Sequence, residues 1–355
     1  MRAPSATNGE PRKMENRLTI PSLSVEKVQV IARSWRDSLR VQARRPGDLI
    51  FRILIYVFVL LVIAIVAGVT WVLISSSWPT IQAFGLSFLT NTVFDPVHNI
   101  YGVAPALFGT IYTSLLAMLI ALPLGIGTAV FLVEFCPRAF KGPLGFLVDS
   151  LAAIPSVVLG LWGFLFFAPW LQSTGEPWLA QHFGFLPFFQ GTPHGVGLLA
   201  AVLILVVMIL PIVTAISREV MLVTPRAQRE ALLALGATRW EVIRHVVLPF
   251  SRAGLLGAAI LSLGRALGET IAVTMVIGNQ ATKADTFIGN FSLFNTGYTL
   301  ASVIANQFSE ATPGLFFSAV LEAGLLLLII TLLTNILARV LVARMGARAS
   351  GGLNV

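Results

Sequence analysis

Apolar residues in this chain do not alternate with polar ones. They run together in stretches of about 20 residues or more, the length a helix needs to cross a bilayer. Six such stretches stand out: Phe51 to Ser75, Pro105 to Glu134, Leu144 to Leu171, Val196 to Arg218, Ala253 to Gly278 and Pro313 to Val340. The pattern predicts an all-α membrane protein of six transmembrane helices. The ten-residue alternating segments of a membrane β-barrel are absent. The organisation expected is a basic arm at 1–49, a six-span domain at 50–345 with a long polar loop at 219–252, and a short tail at 346–355. The first apolar run begins too late and is too long for a cleavable signal sequence, so it reads as an uncleaved span.

Composition supports the membrane class. The 355 residues are 56% hydrophobic and 11% charged, with a mean hydropathy of +0.85, whereas a soluble domain carries about 25% charged residues. A disordered protein and an ordinary cytosolic enzyme are thereby excluded. The single cysteine, Cys136, excludes a disulfide scaffold and a cysteine-ligated metal.

The placement of charge orients the spans. Of the 24 Lys and Arg residues, all but Arg265 and Lys283 fall before or at the start of the first span, at the connections after spans two and four, or at the end of the sixth span and in the tail. Cytoplasmic segments carry the Lys/Arg excess. Both termini are therefore expected in the cytoplasm, and an odd span count would mix the signs. Within the arm, Val28, Ile31, Trp35 and Leu39 share a helical spacing among arginines. That segment reads either as an interfacial amphipathic helix or as a solvated basic arm. Residues 1–24 have the composition of a disordered segment. The outward connections, Ser76–Ala104, Gln172–Gly195 and Asn279–Thr312, carry Trp78, Trp178, Phe188 and Tyr298. Aromatics at span ends suit interface anchors.

Several chemistries are missing. None of Lys13, Lys27, Lys141 and Lys283 is followed by Ser or Thr, so there is no Walker A sequence. His98, His182, His194 and His245 show no ligand spacing and fall in expected loops. No catalytic set, metal, cofactor or nucleic-acid partner is expected. Asp149, Glu269 and Glu322 are the acidic residues at or near membrane depth.

Two constellations remain. The first is the loop from Thr224 to Pro249. Thr224 suits an N-cap and Pro225 the first helical position. Gly236 suits a helix end, and Thr238 with Glu241 fits a capping box that starts a second helix. Pro249 ends that helix or begins the return to the membrane. Leu232, Leu233, Leu235, Trp240 and Ile243 give the pair apolar faces, which either pack on the protein's own helix ends or dock another subunit.

The second constellation, in span five, reads Gly264-Arg265-Ala266-Leu267-Gly268-Glu269-Thr270. Arg265 and Glu269 stand at i, i+4 and can pair, with Ser262 close to their face. Gly264 and Gly268 allow another helix to approach. Charges inside a span are costly. The pair either neutralises itself at a helix interface or lines an anion path, for which the arginine fork is suited.

The loop resembles that of ABC importer permeases, whose pattern is EAA, three residues, Gly, nine residues, Ile, one residue, Leu-Pro. Here Glu230-Ala231-Leu232, Gly236, Val246 and Leu248-Pro249 stand at that spacing, with Leu232 and Val246 as mild departures. Span five, the Leu122–Gly127 run, Ala153–Val158 and Gly160–Gly163 resemble the phosphate-type permeases of this class, over roughly residues 50 to 345. The resemblance implies a type I importer arrangement. Its partners would be a homologous permease (PstA), two copies of an ATPase (PstB) that bind ATP and Mg, an outer phosphate-binding protein (PstS) and membrane lipid. It also implies that Glu230, Ala231, Leu232, Leu235, Gly236, Trp240, Leu248 and Pro249 couple the ATPase to the spans. Arg265, held by Glu269, with Ser262 and Thr270, would line the anion path. Sulfate and molybdate permeases share the loop and a related Arg-Ala-Leu-Gly-Glu run. A secondary transporter or channel would leave the loop without a role.

Overall fold

The computed structural model describes residues 46–280 and 292–350. The arm up to residue 45 and Lys283 lie outside the described residues, so the interfacial-helix expectation falls there. The chain forms two compact units, residues 1–68 and 69–355. The described part of the first is helical from Pro46, with apolar side chains such as Leu49, Phe58 and Leu60 exposed along it.

The described residues of the second unit form helices and no strand; their two β-bridges are isolated. The long elements are α1 (Pro46–Phe84, beginning in the first unit), α2 (Ala104–Phe135), α3 (Arg138–Ala152) and α4 (Ser156–Phe183). They are followed by α5 (Leu198–Leu222), α6 (Arg226–Ala234), α7 (Arg239–Leu267), α8 (Ile271–Val276), α9 (Leu300–Gln307) and α10 (Leu315–Ser350). Six of these are long and apolar enough to cross a membrane: α1, α2, α4, α5, α7 and α10.

Several expected spans have different bounds, and the first runs on past Ser75 to Phe84. The third does not begin at Leu144: α3 ends at Ala152, and a new helix starts at Ser156 after Pro155 in an extended conformation. Proline pushes the residue before it out of the helical region, so Ile154-Pro155 divides the apolar run. The fifth starts earlier, at Arg239, and stops at Leu267 rather than Gly278. These shifts place Trp78 in α1 and Trp178 and His182 in α4 rather than in loops, and His245 within α7.

The core centres on α5. Its Ala200, Ala201, Ile204, Leu205 and Ile209 are fully enclosed, packed with Ala117 and Ala121 of α2 and Ala272 and Val276 of α8. Glycines set the close approach. A side chain at Gly125 of α2 would meet Val213 of α5 at 2.6 Å, and one at Gly254 of α7 would strike Val220. Small residues bring helices together where lipid supplies no hydrophobic drive between them. A second cluster, at the end where α2 begins, packs Phe88, Tyr101 and Val103 with Leu300 of α9 and Ala319 of α10. The hydroxyl of Thr110 there accepts a hydrogen bond from the Leu300 amide at 2.9 Å.

The α1–α2 connection holds a tight turn. The Asp95 carboxylate accepts from the amides of Val97 (2.9 Å) and His98 (3.3 Å) and contacts His98 Nδ1 at 2.6 Å. The bond to the His98 side chain is the main cause that holds the Asp95 carboxyl below its ordinary value of 3.8. A carboxyl depressed in the folded state stabilises it above the unfolded pKa and loses that stabilisation as pH falls through the folded one. Amide protection at Val97 and His98 is therefore expected to stay constant from neutral pH down to about pH 5 and to fall only below about pH 4. An Asp95→Asn variant should show no such acid limb in hydrogen exchange.

Candidate functional site

The loop between α5 and α7 is held to the bundle by an ion pair and by apolar packing of Leu232 and Ala237. Arg229 donates to Glu134 Oε1 at 2.7 Å and to the Met221 carbonyl at 2.6 Å, joining α6 to the ends of α2 and α5. Leu232 packs against the cluster of Ala129, Val133, Met221, Val242 and Val247. Neither Glu134 nor Arg229 is singled out by the sequence pattern, because the pairing spans 95 residues. Both side chains are about four-fifths buried. An Arg229→Met substitution leaves a largely buried carboxylate unpaired and should destabilise the loop by about 2–3 kcal/mol, at or just below the roughly 3–5 kcal/mol of a fully buried pair because both side chains keep some exposure. The double substitution Arg229→Met/Glu134→Gln should recover most of that in thermal unfolding of the purified protein.

Local sequence explains the shape of the loop. Gly236, at φ +87°, sits in the left-handed region that suits glycine. The amides of Gly236 and Ala237 close back on the carbonyls of Leu233 (2.9 Å) and Leu232 (3.2 Å), a Schellman ending for α6. Thr238 and Glu241 form the expected capping box at the start of α7. The start of α6 differs from expectation. Pro225, not Thr224, precedes its first residue, and the Thr224 hydroxyl is buried without a partner. Pro249 does not end the second helix. A wider π turn at Ile243–Val247 directly precedes it and absorbs the missing amide, so α7 runs unbroken into the fifth span.

The apolar residues of the loop divide between two roles. Ile243 is fully buried, Leu232 packs inward, and Leu248 borders the same cluster. Leu235, Trp240 and Leu233 face outward, with 84%, 58% and 46% of their surface exposed. Glu230 and Ala231 are exposed as well, and Pro249 flanks a groove with Leu235 and Phe250.

The second site is a break in the fifth span. After Leu267 the helix closes on Gly268, whose amide reaches the Gly264 carbonyl at 3.2 Å. Helix resumes only at Ile271. The break disposes of the expected Arg265–Glu269 pair, since the i, i+4 geometry needs an unbroken helix. Among the described residues, no ion pair joins the two. Glu269 instead turns toward the start of α8, where its Oε1 accepts from the Ala272 amide at 3.4 Å. Non-helical backbone at membrane depth persists where it is buried in protein or lines a cavity. Here an open cleft of about 900 Å³ lies beside it, lined by Ile212, Leu261, Gly264, Arg265, Gly268, Glu269 and Asn335.

Arg265 is exposed to this cleft, and its side chain makes no hydrogen bond or ion pair with another described residue. Ser262 is buried beneath the helix with its hydroxyl unpartnered, and does not line the cleft. Thr270 also lies off the lining; its hydroxyl bonds the Gly268 carbonyl at 3.3 Å. Gly264 faces Asn335 of α10, whereas Gly268 serves the helix end. Asn335 is the lining residue missed in the sequence: a lone amide in the apolar run of the last span is its signal. Of the other acidic residues, Asp149 meets Arg218 at 3.5 Å and Glu322 is buried in α10. Among the described residues no three His, Cys, Asp or Glu side chains gather as a metal site.

The model of the family described as binding-protein-dependent transport system inner membrane component matches residues 121–347, a range that holds both sites. A phosphate transport system permease protein PstC from Mesorhizobium japonicum is 41% identical over 329 residues, covering 92% of this chain and 98% of that one. A PstC from Haemophilus influenzae is 42% identical over 292 residues, covering 81% and 90%. The chain belongs to the PstC family of ABC transporter permeases. The fold agrees: a bacterial ABC transporter that imports the acidic polysaccharide alginate aligns with a TM-score of 0.51 at 16% identity, covering 88% of this chain and 99% of that one. A PstC-family chain is the multi-pass membrane component of an ABC importer, which works with a separate ATPase and a binding protein. Such a subunit is a transport component rather than a catalyst.

Proposed function

We propose that this chain is the permease subunit of an ATP-driven importer of inorganic phosphate in the bacterial inner membrane, with both termini in the cytoplasm. The observation that carries the reading is the joint presence of the docking loop and the Arg265 cleft in a chain about 41% identical to PstC proteins over most of its length. The partners are a PstA-type permease facing the cleft, two PstB ATPases bearing ATP and Mg, and a PstS binding protein on the outside. Closure of the ATPase pair pulls on Leu233, Leu235 and Trp240, and α7 transmits the motion because it is continuous from Arg239 to Leu267. The cleft then opens alternately to the two sides. Arg265 supplies positive charge to the anion, and Glu269 fixes the break beside it. Such switching requires contacts that differ between the two states. The test is uptake of radiolabelled phosphate into vesicles holding the complete transporter, with and without ATP. Uptake that needs ATP and is competed by arsenate but not by sulfate or molybdate is expected. Competition by sulfate or molybdate would move the substrate to those anions, and uptake without ATP would mean a channel or secondary transporter.

A further inference from the structure

A second cationic cleft, apart from Arg265, lies where α2 turns into α3 and α6 meets α7. It has a volume of about 960 Å³ and gathers Arg138, Lys141, Arg229 and Arg239 against one carboxylate, Glu134. The four cations are not equivalent. Arg229 is pinned by Glu134 and the Met221 carbonyl, and its Nε is buried without a partner. Lys141 spends one of its donors on the Val133 carbonyl at 2.7 Å and keeps two. Arg138 and Arg239 are exposed, and their side chains make no hydrogen bond or ion pair with another described residue. The lining therefore holds three uncompensated positive charges, with two arginine forks free. Phe135 and Leu233, each nearly half exposed, give the same cleft an apolar edge.

We infer that this cleft binds a phosphoryl group, supplied by an anionic phospholipid headgroup or by free inorganic phosphate. A carboxylate would answer two donors; a phosphoryl group presents three or four acceptor oxygens and up to two charges, which matches several converging cations. Basic pockets between helices at the inner membrane surface take lipid headgroups in this manner, and the exposed Phe135 on α2 suits an acyl chain. Free phosphate as the source rests on the transport reading above; a lipid headgroup rests only on the membrane orientation proposed there. Because Arg229 lies on α6 and Arg239 opens α7, an occupant would brace the coupling loop against α2.

The test is hydrogen–deuterium exchange of the intact transporter in uncharged detergent, titrated separately with short-chain phosphatidylglycerol and with inorganic phosphate. The readout is protection of the segments 133–142 and 226–242. The variants are Arg138→Gln/Arg239→Gln, which changes two exposed rim residues, and Arg244→Gln, which removes an exposed cation outside the cleft. Protection by at least one titrant is expected in the wild type and in Arg244→Gln. In the double variant its midpoint should rise at least about tenfold, the scale of one charge-assisted hydrogen bond lost. Protection by phosphatidylglycerol alone assigns the lipid, and protection by phosphate alone assigns the free anion. No protection from either, equal midpoints in the wild type and the double variant, or an equal shift in Arg244→Gln would overturn the site.

Discussion

An Arg265→Ala variant is expected to lose phosphate uptake by about 100-fold or more while still assembling with its ATPase. Among the described residues, Arg265 is the sole cation lining the cleft at the break of the fifth span. Without it the remaining charge there is the Glu269 carboxylate, and the field that an entering anion meets changes sign. Losing one partner of a charge-assisted contact in a confined site weakens binding by about 2–5 kcal/mol, and 2.7 kcal/mol is about two orders of magnitude. Folding should be little affected, because the side chain has no hydrogen bond or ion pair to another described residue. Arg265→Lys keeps the charge but not the planar fork, and should retain a fraction of the activity. The check is uptake in vesicles alongside co-purification of the ATPase. Full uptake by the alanine variant would remove Arg265 from the anion path.

The second large effect is expected at the loop. Leu235 and Trp240 expose 84% and 58% of their surface next to a turn that is otherwise well anchored by Arg229, Leu232 and the Thr238–Glu241 capping box. A rigid frame carrying exposed large apolar groups is the arrangement of an interface anchor, where single residues contribute about 2–4 kcal/mol. Combining Leu235→Asp with Trp240→Ala should weaken retention of the ATPase by about 100-fold or more and abolish ATP-dependent uptake. Neither change disturbs the buried cluster. Stoichiometric co-purification of the ATPase with the double variant would show that the loop docks through other residues.

What the sequence made legible, and what it did not, follows from the range of the interactions. The capping box at Thr238–Glu241 and the glycine ending at Gly236 are local, with signals three or four residues long, and both are where the pattern places them. Six apolar runs are equally local, so the span count could be read directly. The breaks inside those runs were harder to see. Ile154-Pro155 divides the third run although its hydrophobicity is continuous. Gly268-Glu269-Thr270 interrupts the fifth because Glu269 can serve the start of α8, a role indistinguishable in sequence from pairing with Arg265 four residues earlier. The Arg229–Glu134 pair and the approach of Asn335 to Gly264 join distant parts of the chain. No spacing rule within one helix reaches that far.

Site-directed labelling of the cleft tests the account most directly. Leu261 lines it and is 59% exposed. A Leu261→Cys substitution, in a chain whose own Cys136 is replaced by serine, places one reactive thiol there. In vesicles of the complete transporter, a membrane-impermeant thiol reagent should reach that residue from one side in the resting state. With the ATPase trapped by ATP and vanadate, it should reach it from the other side. Labelling from the same side in both states would contradict alternating access through the Arg265 cleft.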